Sequence, residues 1–165
     1  MVAMAQASSG PAGLTLTLDG VEATAALGRK LAVLARAGDV IALRGDLGAG
    51  KSELARGFVR ALCGPDEDVP SPTFTLVQPY ETPEFPLYHF DLYRLKDAEE
   101  AYELGIEDAF AEGVSLIEWP ERLGNLLPAR RLDVTLRMGA AESQRLATLS
   151  GDAWAGRLAE AGIHG

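Results

Sequence analysis

The chain has 165 residues, 47% hydrophobic and 24% charged, the length and balance of one ordinary globular domain. Its net charge is −9 and it has only three lysines, so alone it is poorly equipped to hold a polyanion such as RNA, and no apolar stretch approaches the roughly 20 residues that span a bilayer. A single cysteine, Cys63, excludes an intrachain disulfide framework and is compatible with a reducing, cytoplasmic setting.

Residues 1–13 are rich in Ala, Ser and Gly, with neither a basic start nor an apolar block. They do not read as a secretion signal and are expected to form a disordered tail before one domain over 14–165. Leu14 to Leu18 alternates apolar residues with Thr, a strand pattern. Asp19, with Glu22 three positions on, predicts a capping box opening a helix that carries Leu27, Leu31 and Leu34 on one face and stops at Gly38-Asp39. Val40 to Leu43 is a short apolar run of the buried-strand kind. After Gly45–Ser52 a second helix carries Leu54, Phe58 and Leu62 inward, with Cys63 read as a small packed side chain, and Gly64-Pro65 ends it.

Strands are predicted over Phe74–Tyr80 and Leu87–Asp91, joined by the turn Thr82–Pro86. A helix over Asp97–Leu104 and a strand over Val114–Glu118 follow, and Pro120 breaks the chain. Two closing strands, Leu132–Leu136 and Leu146–Leu149, precede a helix at Asp152–Ala161. Strands alternating with helices define an α/β fold: a single domain with a mixed, mainly parallel central sheet flanked by helices.

Gly45-Asp46-Leu47-Gly48-Ala49-Gly50-Lys51-Ser52 matches G-x-x-x-x-G-K-[ST] between a strand and a helix, the signature of a P-loop NTPase. The glycines let the backbone turn tightly and bring its N–H groups to phosphate oxygens, and the helix N-terminus adds partial positive charge. Lys51 is expected at the β- and γ-phosphates, and the Ser52 hydroxyl on Mg2+. Random order would produce the pattern in about three such chains per thousand, so chance is a weak competitor.

Catalysis on a bound nucleotide also needs a carboxylate near the metal and a group that positions the nucleophile. Leu87–Asp91 and Val114–Glu118 are apolar runs that each end in an acid, and parallel strand ends line the ligand crevice of such sheets. Strand–helix–strand connection makes these two parallel. The short turn before Leu87 makes Phe74–Tyr80 antiparallel to its neighbour, which carries Ser71-Pro72-Thr73 to the nucleotide edge, where the hydroxyls could sense γ-phosphate or Mg2+. His89, mid-strand, reads as a packed or hydrogen-bonded residue rather than a base.

Five segments in order, Gly45–Ser52, Ser71–Leu76, His89-Phe90-Asp91-Leu92-Tyr93-Arg94, Leu104-Gly105-Ile106 and Ile117-Glu118-Trp119-Pro120-Glu121, resemble the TsaE (YjeE) family, the bacterial ATPases of tRNA threonylcarbamoyladenosine formation. The resemblance implies a cytoplasmic protein that binds ATP and Mg2+, is a weak ATPase alone, and works with TsaB and TsaD, touching tRNA only through that complex. It gives Lys51 and Ser52 the phosphate and metal roles, Glu118 and Asp91 the metal and water-activating roles, and places Trp119, Ser71 and Thr73 in the site. Many members have Thr at Ser52, which keeps the hydroxyl.

Two rivals stand beside this reading. A small-molecule kinase would carry an arginine-bearing lid, and beyond Glu118 the only clustered bases are Arg130-Arg131 at the start of a strand. A regulatory GTPase would select guanine with Asn-Lys-x-Asp, but the only Asn, Asn125, is followed by Leu-Leu.

Overall fold

The structure, a computed structural model, describes residues 13–163; the tail expected over 1–13 lies, apart from Gly13, outside the described residues. In chain order the elements are β1 (Leu14–Asp19), α1 (Val21–Leu34), β2 (Val40–Arg44), α2 (Lys51–Cys63), β3 (Val77–Glu81) and β4 (Pro86–Asp91). Then come α3 (Glu100–Glu103), α4 (Ile106–Glu112), β5 (Val114–Glu118), a 3-10 helix (Pro120–Leu126), β6 (Leu132–Met138), β7 (Gln144–Ser150) and α5 (Asp152–Glu160).

The strands form one seven-stranded sheet in the order β1-β7-β6-β2-β5-β4-β3. Its four central strands, β6, β2, β5 and β4, are parallel, and β7 and β3 pair antiparallel at the flanks. β2 and β5 sit mid-sheet, which is why Val40–Leu43 and Val114–Ile117 read as unbroken apolar or small runs: both faces are covered. On one face α1, α2 and α5 bury Leu27, Leu31, Leu54, Phe58 and Trp154 against Ile41, Leu43, Leu116 and Val134. On the other, α3, α4 and the 3-10 helix bury Ala101, Ile106 and Leu123 against Val40, Phe90 and Ile117.

α1 and α2 pack with almost no gap. A methyl group on Gly28 would stand 2.1 Å from the Leu54 carbonyl oxygen, and one on Gly57 2.2 Å from that of Ala25. Mid-helix glycine costs about 1 kcal/mol in propensity, so its use here is accounted for by backbone approach. The contact fixes α2, and with it the loop at its N-terminus.

Four local expectations are corrected. Asp19 does not cap α1: it ends β1 and accepts a hydrogen bond from Gln144, the cap is Gly20, and Glu22 pairs with Arg29 at 2.8 Å. α1 stops at Leu34 because Ala35 is already extended. Beyond it Asp39 is held by the Arg36 N–H and by the buried Arg157 guanidinium, at 2.6 and 3.2 Å, which ties α5 to the start of β2. β3 begins at Val77, not Phe74, because residues 72–76 close a turn through the Leu76 N–H on the Pro72 carbonyl at 2.7 Å, leaving Phe74 79% exposed. The helix expected over Asp97–Leu104 shrinks to α3, and after left-handed Gly105 comes a helix that was not expected, α4, buried through Ile106 and Ala109. Cys63 is half-buried, its thiol 3.7 Å from the Glu81 carbonyl oxygen.

Candidate nucleotide site

β2 delivers the chain to Gly45 at the carboxyl end of the parallel strands. Gly45 has φ 145°, and a side chain there would come within 2.6 Å of the Leu136 carbonyl, so glycine is required twice over. Asp46, Leu47 and Gly48 form an exposed crest in which the Ala49 N–H meets the Asp46 carbonyl at 3.1 Å. Left-handed Gly50 caps α2, whose first turn presents buried Lys51 and exposed Ser52.

Lys51 Nζ donates to the Gly45 carbonyl at 2.6 Å and stands 3.8 Å from the centre of the Trp119 ring. Burial pushes its pKa below the ordinary lysine value, and Glu118, Asp91, Glu121 and Asp46 oppose that shift. Trp119 directly follows β5 in the left-handed region, φ 59° and ψ 50°, a conformation costing about 1–2 kcal/mol. That turn starts the 3-10 helix with Pro120 and lays the indole between Lys51 and Tyr93, whose ring centre is 5.0 Å away.

Asp91 and Glu118 are register partners at the ends of β4 and β5, and Glu118 is also level with Leu43 of β2. Their side chains therefore leave the sheet on one face, that of α1 and α2. Both are buried. Asp91 Oδ2 accepts from the Thr73 hydroxyl at 3.1 Å and Oδ1 from the Tyr93 N–H at 3.1 Å. Ser71 and Thr73 hydroxyls are 2.7 Å apart, so the turn before β3 sits against Asp91. Glu118 Oε2 is 2.7 Å from His89 Nε2.

The structure thus brings Lys51, Asp91, Glu118, Trp119 and Thr73 together beside the glycine loop, with Ser52 exposed next to Lys51 and Ser71 one contact behind. Sequence reading missed Arg145 of β7, whose guanidinium donates to the Gly48 carbonyl at 3.2 Å from 97 residues away. It also missed Tyr93 as a packing partner of Trp119, with the Arg122 guanidinium 5.8 Å above its ring. Neither contact leaves a spacing signal. A hollow of about 620 Å³ lies at the opposite end of the sheet among Arg130, Arg131, Asp133 and Asp152. A phosphate loop is an open crest, and its ligand supplies the filling.

A glycine loop between a buried strand and a helix, facing acids at the ends of neighbouring parallel strands, makes this a P-loop α/β domain. The family model described as "Threonylcarbamoyl adenosine biosynthesis protein TsaE" matches residues 18–147, and the chain belongs to that family, which acts in tRNA threonylcarbamoyladenosine biosynthesis. It is 42% identical over 134 residues to the tRNA threonylcarbamoyladenosine biosynthesis protein TsaE of Rickettsia felis, covering 81% of this chain and 78% of that one. With the TsaE protein of Bacillus subtilis it shares 38% identity over 126 residues, 76% of this chain and 78% of that one. The crystal structure of Bacillus subtilis YdiB superposes with a TM-score of 0.72 at 31% identity, over 90% of this chain and 92% of that one. Among the described residues no helix is long and apolar enough to cross a membrane.

Proposed function

We propose that this protein binds ATP with Mg2+, hydrolyses it slowly when alone, and works with TsaB and TsaD as threonylcarbamoyladenosine is formed beside the anticodon of tRNA. The observation that carries the reading is Lys51, held at the loop within the electrostatic reach of Glu118 and Asp91. An ammonium, two carboxylates and a row of loop N–H groups at one strand edge fit a nucleoside triphosphate and little else.

The loop N–H groups and Lys51 bind the β- and γ-phosphates. The Ser52 hydroxyl with the Glu118 carboxylate forms a hard-oxygen donor set suited to Mg2+. Among the described residues no group of three His, Cys, Asp or Glu side chains is placed to hold a metal ion. When bound, Mg2+ neutralises charge on the transferring phosphoryl group. Asp91, oriented by Thr73 and the Tyr93 N–H, positions the attacking water. The Trp119 ring faces the Lys51 ammonium and helps hold it at the loop.

The test is phosphate release from labelled ATP by the parent and by Glu118→Gln, with TsaB and TsaD present. The variant keeps the shape of the side chain but not its charge. Turnover is expected to fall about a hundredfold or more while ATP affinity changes modestly. Undiminished release, or transfer of the label to a small metabolite instead of water, would defeat the reading.

A further inference from the structure

We propose that His89 is the positioning residue of Glu118: its imidazole holds one carboxylate oxygen so that the other faces the phosphate loop. The proposal deepens the ATP-site reading above and rests on it.

His89 lies two residues before Asp91 on β4, so both point to the face shared with Glu118. In register it is level with Leu116, two residues before Glu118 on β5. The imidazole therefore stands one step behind the carboxylates, under the crevice and not in it. It is 3% exposed, and its Nε2 is 2.7 Å from Glu118 Oε2. That distance is short for an N–H···O bond and belongs to the charge-assisted class.

The other ring nitrogen settles the direction of the bond. Nδ1 is buried and, among the described residues, has no hydrogen-bond partner. A proton on Nδ1 would be a buried donor without an acceptor, while a proton on Nε2 meets the Glu118 oxygen, so the ring is the Nε2–H tautomer and donates. Nε2 already carries its proton and the basic Nδ1 is buried, so His89 is not placed to take a proton from an attacking water.

A glutamate has three rotatable bonds, and a strand-end glutamate has freedom to spoil a metal or water contact. Glu118 Oε2 is pinned by His89, and among the described residues Oε1 accepts no hydrogen bond within the protein. That leaves Oε1 as the oxygen available to the loop. Asp91 is fixed in the same manner from the opposite side, by Thr73 and the Tyr93 N–H. The two acids are thus oriented by separate devices, one from inside the sheet and one from the turn before β3. Ligating carboxylates are commonly held by such outer hydrogen bonds, whose loss costs about ten- to a hundredfold in activity or metal affinity.

The experiment uses the full chain in three variants, Glu118→Gln, His89→Leu and His89→Gln, measured for phosphate release from Mg-ATP and for affinity toward a non-hydrolysable ATP analogue. His89→Leu removes the donor, whereas glutamine can return an N–H near the Nε2 position. His89→Leu is expected to lower kcat about tenfold or more with analogue affinity within about threefold, and His89→Gln to recover most of the loss. A nitrogen-15 spectrum of the nucleotide-free parent supplies a readout independent of turnover and of variant folding. It should show the His89 ring protonated on Nε2, with that signal moving in Glu118→Gln. An inactive Glu118→Gln beside a His89→Leu that matches the parent would overturn this proposal alone. His89→Gln as slow as His89→Leu, or a ring protonated on Nδ1, would also overturn it. A fully active Glu118→Gln would instead remove the ATP-site reading beneath it.

Discussion

Lys51 is placed where its charge is costly to the fold and where, under the proposed function, it meets the phosphates. The residue is 5% exposed, and desolvation outweighs the four carboxylates that favour the charged form. Lys51→Met keeps most of the apolar stem and removes the charge. Affinity for ATP should fall about ten- to a hundredfold, the value of one or two charge-assisted hydrogen bonds, while the thermal midpoint stays level or rises. Equal ATP affinity in a binding assay, or a marked drop in midpoint, would contradict this. The pH dependence has a definite sign. A lysine whose pKa is lowered by folding leaves the unfolded chain with more bound protons between that lowered value and 10.5, so stability rises with pH across that interval. The parent should therefore gain stability relative to Lys51→Met as pH climbs toward 10.5, read as the difference between their urea midpoints. A gap that moves the other way would mean the ammonium is stabilised in the fold.

The loop carrying Lys51 is only as well placed as α2, and α2 is placed by α1. Gly28 and Gly57 let the two backbones touch, so Gly57→Ala must push them apart or distort one. A loss of about 1–3 kcal/mol is expected, since overpacked sites cost that much, together with weaker ATP binding because the start of α2 moves. Chemical denaturation and analogue binding check both halves; a stabilised Gly57→Ala, the ordinary result for an exposed helix glycine, would show that the contact is not tight. Elements of this kind were unevenly legible in the sequence. The strands that carry the site read within a residue or two of their ends, because mid-sheet burial leaves a continuous apolar run and Asp91 and Glu118 end theirs. The glycine loop was legible whole because all its chemistry is local. What escaped includes the turn at Pro72–Leu76, which overrides the strand pattern at Phe74, and α4, which follows Gly105 where no helix was expected. Within the site, Thr73 on Asp91 and His89 on Glu118 depend on register between strands, which no local spacing encodes.

Charge is distributed over the whole molecule with a bias that bears on its partners. Of the net −9, the segment Asp91–Glu121, with ten acids against two bases, carries −8. Its acids Asp97, Glu99, Glu103, Glu107, Asp108 and Glu112 are exposed around α3 and α4, covering the sheet face opposite α1 and α2. The bases nearest the site are partly occupied: Arg94 lies over Phe74 at 4.5 Å, Arg122 over Tyr93, and Arg145 on backbone carbonyls. Nucleic-acid binding without sequence preference is dominated by Lys and Arg neutralising phosphates, and gives dissociation constants of about 10⁻⁴–10⁻⁶ M for proteins built for it. This surface offers the reverse, so the isolated protein should bind tRNA at or beyond the weak end of that range at physiological salt. Salt dependence separates absence of a basic patch from mere weakness. Where phosphate neutralisation drives association, added salt weakens it steeply; where the net interaction is repulsive, added salt screens the repulsion and leaves the residual binding level or slightly stronger. Fluorescence anisotropy of labelled tRNA titrated with the protein at low and moderate salt is the measurement. Submicromolar binding that collapses as salt is raised would show that Lys and Arg scattered over the fold combine into a basic surface. Flat, weak binding would leave tRNA contact to the partner proteins.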